Sequence, residues 1–212
     1  MSLIRLAMID SGIGRDQPIA LRRFHSLVES QDPYDRVGHG TAILRTIGWH
    51  VGLERLELDL VKLFDRRLTA GSRQLVQAME WLAQAPPAWV ICSVGLTDPD
   101  PALHTSIRRL HAAGTRIVAS SARFGSSVYP AAWREVFAVT GDARRLPNAP
   151  GLGTDGRWLA CAWAAQPDGL QPWQVGPPQQ QHAGRQILGG ASFAAAHALG
   201  RWLATQPPPD EG

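Results

Sequence analysis

Over residues 1–140, short apolar runs of strand length alternate with stretches of helical period, and that alternation leaves few folds open. The first run, Leu3-Ile4-Arg5-Leu6-Ala7-Met8-Ile9, is apolar enough to be buried on both faces of a sheet. Residues 56–64, 89–95, 115–120 and 135–140 read as further strands. Between them, residues 71–84 carry Leu75, Val76, Met79, Leu82 and Ala83 at helical spacing, and Pro86-Pro87 ends the stretch. Asp98-Pro99-Asp100-Pro101 reads as a turn and helix start, and residues 102–113 as a helix stopped by Gly114. Alternation of this kind predicts an α/β fold of three layers, a mainly parallel central sheet flanked by helices.

The rest of the chain is less regular. Residues 15–37 read as a loop or short helix. Residues 142–186 are rich in Pro, Gly and Gln, with weak strands around 158–163 and 173–175 and an exposed loop at Pro177-Pro178-Gln179-Gln180-Gln181. A helix from Ser192 to about Thr205 closes a single domain over 1–206, and 207–212 read as a frayed tail.

A chain of 212 residues, 44% hydrophobic and 18% charged, fits one soluble globular unit. Its net charge of +3 comes from arginine, Lys62 being the sole lysine, and no dense basic block marks nucleic acid as a partner. No apolar run is long enough to span a bilayer and no secretory signal precedes the first strand, so the expectation is a cytoplasmic protein away from membranes. Cys92 and Cys161 do not make a disulfide framework and are read as structural. His25, His50, His104, His111 and His182 show no metal-ligand spacing, so neither a catalytic metal nor a cofactor is expected. Oligomeric state stays open.

Three stretches carry reactive residue types. Asp10 ends the first strand, His39 stands between Gly38 and Gly40 at the start of a helix, and Ser192 follows Gly189-Gly190-Ala191 at the start of another. Taken singly, Asp10 reads equally as a turn former, His39 as structural and Ser192 as an N-cap. Taken together, they are the residue types that acyl transfer by serine requires. An imidazole takes the hydroxyl proton, and a carboxylate holds that imidazole in the right tautomer.

Their motifs resemble those of the subtilisin-like serine peptidases, whose chain order is also Asp, His, Ser. Ile9-Asp10-Ser11-Gly12 is similar to the family's Asp motif and Gly38-His39-Gly40-Thr41 to its His motif. Gly190-Ala191-Ser192-Phe193-Ala194-Ala195-Ala196-His197 is similar to its Ser motif, usually Gly-Thr-Ser-Met-Ala-Ala-Pro-His. Cys92-Ser93-Val94-Gly95 resembles the strand that pairs with substrate, and residues 114–121, Tyr129-Pro130-Ala131 and Val136-Phe137-Ala138-Val139 resemble the strands around the oxyanion segment. The resemblance covers about residues 3–141 and 187–204. It implies a pocket for the residue before the cut, walled by Ser93, Val94, Gly95, Ala119, Ser120 and Ser121.

The departures matter as well. Arg123, in Ser120-Ser121-Ala122-Arg123-Phe124-Gly125, stands where the family has an oxyanion-hole asparagine; it either donates to the oxyanion or points to solvent. Ala191 replaces Thr, Ala196 replaces Pro, and the stretch 142–186 is short. Neither a propeptide nor an Asp-rich calcium loop is recognisable, which implies a minimal intracellular form or one that relies on a partner. The expectation is a serine endopeptidase acting on a peptide or protein, with removal of the leader of a ribosomally made precursor peptide as a narrower role. The alternative is a pseudo-peptidase that binds peptides or proteins without cutting them.

Overall fold

The computed structural model describes residues 3–167 and 188–205. Among them, β1 (Ile4–Asp10), β2 (Ala20–Ser26), β3 (Leu56–Lys62), β4 (Trp89–Cys92), β5 (Arg116–Ser120), β6 (Val136–Asp142), β7 (Gly151–Leu152) and β8 (Trp158–Cys161) form one sheet. The order is β2-β3-β1-β4-β5-β6-β8-β7, and every neighbouring pair is parallel except β7 with β8. Four helices accompany it: α1 (His39–Gly48), α2 (Ser72–Ala83), α3 (Pro101–Ala112) and α4 (Ala191–Ala204).

Side chains alternate along a strand, so a strand buried on both faces feeds two cores. In β1, Leu6 and Met8 join a cluster with Ile43, Leu44 and Ile47 of α1 and with Phe193, Leu199 and Trp202 of α4. Ala7 and Ile9 join the opposite cluster, with Leu75, Met79 and Leu82 of α2 and Leu103, Ile107 and Leu110 of α3. The molecule is therefore a three-layer α/β fold, as the alternation predicts. The α3 start is built as read: the Asp100 carboxylate accepts from the amides of Ala102 and Leu103, and Pro101 stands where no N–H is needed.

Two readings change. Within 15–37 the chain forms the edge strand β2, whose first three residues are exposed and whose Arg22 and Arg23 reach the buried Asp59. The strand read over 89–95 stops at Cys92, which leaves Ser93, Val94 and Gly95 beyond the sheet. The expectation around 158–163 corresponds to β8, to which β7 adds an antiparallel partner. The expectations for 173–175, 177–181 and 207–212 lie outside the described residues. Among the described residues, no helix is long and apolar enough to cross a membrane.

What places the site is the strand order. From β1 the sheet extends through β3 to one side and through β4 to the other. In open parallel sheets the crevice lies outside the carboxyl ends of the strands where the order reverses, and here that end is Asp10.

Candidate active site

Backbone segments meet at the end of β1 with almost no space between them. Gly12 has φ +128°, and a Cβ there would lie 2.7 Å from Pro33 O and 2.8 Å from Asp35 N. A Cβ on Gly40 would lie 2.3 Å from Gly12 O. Ile13 N donates to Pro33 O at 2.9 Å, and Asp35 N donates to Ile13 O at 3.0 Å. The glycines of the Asp and His motifs thus let the loop after β1, the turn at 33–35 and the start of α1 touch backbone to backbone.

This packing brings His39 onto Asp10. His39 Nδ1 lies 2.8 and 3.0 Å from the two Asp10 carboxylate oxygens. Asp10 is fully buried and also accepts from the amide and hydroxyl of Ser11, at 2.7 and 3.2 Å. Ser11 Oγ in turn accepts from Gly40 N at 3.0 Å. A carboxylate can only accept, so it fixes the imidazole proton on Nδ1 and leaves Nε2 as the acceptor. Burial alone would lower the His39 pKa; the hydrogen bond donated to Asp10, the Asp10 charge and the Asp35 charge outweigh it and raise it.

Ser192 is the second residue of α4, after Gly190 at φ 136° and ψ −178°, a backbone that side chains rarely tolerate. Gly190 N is held by Ala162 O at 2.8 Å, and the first helical bond runs from Ala194 N to Gly190 O. The amide of Ser192 therefore precedes the helical ladder, at the positive end of α4. His39 and Ser192 line one cavity of about 280 Å³, together with Ser93, Val94 and Gly95. No hydrogen bond joins their side chains among the described residues. The Phe193 ring packs 5.4 Å from the His39 ring.

The remaining expected residues divide. Phe64, Leu68, Thr69 and Ala70 line the same cavity, and nothing in the sequence singled them out. Ala119 is fully buried in the α2–α3 core, and Ser121 lines a separate cavity of about 910 Å³ together with Arg123 and Phe124. Ser120 ends β5. The Arg123 guanidinium donates to Gly141 O at 3.0 Å and lies 3.7 Å from the Asp142 carboxylate. Arg157 donates to the carbonyls of Ala122 and Arg123, which pins the segment from its backbone side. The Ser93 hydroxyl is buried and makes no hydrogen bond among the described residues.

Two further polar groupings flank the site. Lys62 is fully buried at the end of β3; its Nζ donates to Tyr34 O at 2.7 Å and Asp32 O at 3.3 Å, and lies 3.5 Å from an Asp65 oxygen. It braces the turn that touches Gly12. On the far side of α1, His50 Nε2 and His197 Nδ1 are 2.9 Å apart, and His197 Nε2 donates to Trp163 O at 2.8 Å. Burial pushes His50 down to about 4, aided by the Arg201 charge, and pushes His197 down to about 3.

Cys92 and Cys161 are free and buried, and burial pushes their thiols up to about 12 and about 11. Neither is an accessible thiolate near neutral pH. Among the described residues, no group of three or more His, Cys, Asp or Glu side chains is arranged to hold a metal ion.

Neither a protein-family model nor a curated protein sequence matches the chain. Solved structures do. The nisin leader peptidase NisP from Lactococcus lactis superposes with a TM-score of 0.64 at 16% identity, over 94% of this chain and 76% of that one. An S41 psychrophilic protease superposes with a TM-score of 0.63 at 16% identity, over 94% of this chain and 75% of that one. At this identity the likeness is one of fold, and the fold is one that proteases use.

Proposed function

We propose that the chain is a serine endopeptidase of the subtilisin-like kind, with Ser192 as nucleophile, His39 as base and Asp10 as the group that orients His39. The observation that carries the reading is the Asp10 bond to His39 Nδ1, which leaves Nε2 as the acceptor of a ring that lines one cavity with Ser192. Ser192 Oγ attacks the peptide carbonyl and gives its proton to His39 Nε2. The oxyanion develops near the Ser192 amide at the positive end of α4. His39 then returns the proton to the leaving amine. Water, deprotonated by His39, attacks the acyl carbon; the ester bond to Ser192 Oγ breaks, His39 returns the proton to that oxygen, and the Asp10 charge stabilises the imidazolium in both steps.

The substrate is a peptide or protein, laid extended beside Ser93, Val94 and Gly95 as an added strand. The fold shared with a leader peptidase supports the narrower role, removal of the leader from a ribosomally made precursor peptide. A second reading, a peptide-binding module without turnover, draws on Arg123. Its guanidinium is engaged by Gly141 O, so it stabilises an oxyanion only after leaving that carbonyl.

Intact-mass labelling with a fluorophosphonate separates the two. The expected result is one adduct on the wild type and none on Ser192→Ala. An unlabelled but folded wild type would overturn the peptidase reading in favour of the binding module.

A further inference from the structure

Residues 30–38 form a loop without regular structure, yet Asp35 within it accepts four hydrogen bonds, two from Val37 and Gly38 just before α1 and two from Thr41 in its first turn. One carboxylate oxygen accepts from Val37 N at 2.9 Å and Gly38 N at 2.7 Å. The other accepts from Thr41 N at 2.8 Å and Thr41 Oγ1 at 2.7 Å. The cap residue proper, Gly38, offers no side chain, and the first turn of α1 holds no acid. Asp35 therefore supplies the capping acceptor from outside the helix.

Its position has an electrostatic consequence. His39 is the first residue of α1, where unpaired amides and the helix dipole oppose a positive imidazolium. A carboxylate seated on those amides offsets them. The groups around His39 are Asp10 at the end of β1, Ser192 and Phe193 from α4, and this carboxylate from the loop, which acts on the ring through its charge. Around the loop, Lys62 and Arg36 are matched by Asp32 and Asp65. Asp35 itself has no ion-pair partner among the described residues, so its charge is balanced by N–H and O–H donors alone.

We propose that Asp35 is a positioning residue for His39, capping the helix that presents the base and supplying a second negative charge that keeps it basic. The role rests on the serine-peptidase reading, but its test does not. The Asp10 carboxylate fixes the tautomer from one side, and Asp35 fixes the helix end and its charge from the other. Burial lowers the His39 pKa; the hydrogen bond to Asp10, the Asp10 charge and then the Asp35 charge raise it above the ordinary value, which accords with this.

The test is an NMR titration of the His39 ring, assigned by its loss in His39→Ala, in wild type and Asp35→Asn. Asparagine keeps an acceptor for the α1 amides and removes the charge. The expected result is a His39 midpoint lower by roughly half to one pH unit, smaller in high salt. Thr41→Val, which removes a hydroxyl donor and no charge, should leave the midpoint in place. Should Asp35→Asn not fold, Asp35→Ser, which also caps without charge, carries the same measurement. An unmoved midpoint in a folded neutral variant, or failure of both neutral variants to fold, would overturn the proposal. The pH profile of fluorophosphonate labelling, run in parallel, should shift its acid limb with the NMR midpoint. A wild type that never labels would overturn the peptidase reading and leave the titration result standing.

Discussion

At the start of α1, His39 holds its proton more tightly than a free imidazole; just past the end of the same helix, His50 is pushed down to about 4. Both rings are largely enclosed and both are hydrogen-bonded, and about 15 Å of helix separates the two ends. Burial penalises the cation at each. What differs is the partner. His39 faces the Asp10 carboxylate, with Asp35 behind the helix end, whereas His50 faces the neutral ring of His197 and the positive charge of Arg201. A buried histidine thus keeps its proton or refuses it according to whether an anion shares its pocket.

The comparison breaks most sharply at Asp10. Asp10→Asn would make the first site resemble the second, a histidine beside a neutral partner. The tautomer is no longer enforced, and turnover should fall by about 10⁴-fold with the fold retained. Steady-state kinetics alongside circular dichroism would check it; near-normal turnover would show that Asp10 does not orient the base.

A middle-sized effect is expected at the strut. His197→Leu leaves the His50 ring and the Trp163 carbonyl without their shared partner, at a cost of about 1–3 kcal/mol in urea unfolding. The pH dependence carries a sign as well. His50 and His197 fold with lowered pKa values, so the unfolded chain binds protons that the native pair refuses. Their contribution therefore weakens as pH falls from about 6.5 towards 4. His39, raised on folding, contributes with the opposite sign: its share is present below pH ~6.5 and is lost as pH rises through its folded value. The acid loss should be shallower in His197→Leu than in the wild type. The smallest effect belongs to Arg201→Gln, which removes a positive charge near His50 and should raise that ring's NMR midpoint by about a few tenths of a unit.

The sheet interior was legible because β1, β3, β4, β5 and β6 are packed largely on both faces, which demands apolar runs that stand out in a sequence. β2 was not, because an edge strand with Arg22 and Arg23 reads as a polar loop. The proposed roles of Asp10, His39 and Ser192 were carried by motifs, and the structure adds why glycines surround them. Asp35 lay hidden in the same polar stretch as β2. An acid six residues before a helical Thr41, ahead of a glycine that cannot cap, is the signal that would have found it. Phe64 and Leu68 gave no signal, since lining a cavity depends on how the chain turns after β3 rather than on residue type.

Lys62 gives the molecule an unusual chemical surface. The chain's sole lysine is sealed against carbonyl oxygens at the end of β3, so acylating or reductively alkylating reagents meet no lysine amine on the folded exterior. Its rate of modification then becomes a clock for opening of the turn beside Gly12, read by mass spectrometry at one known atom. Acylation or ubiquitin attachment at that amine would follow the opening of this end of the sheet rather than precede it.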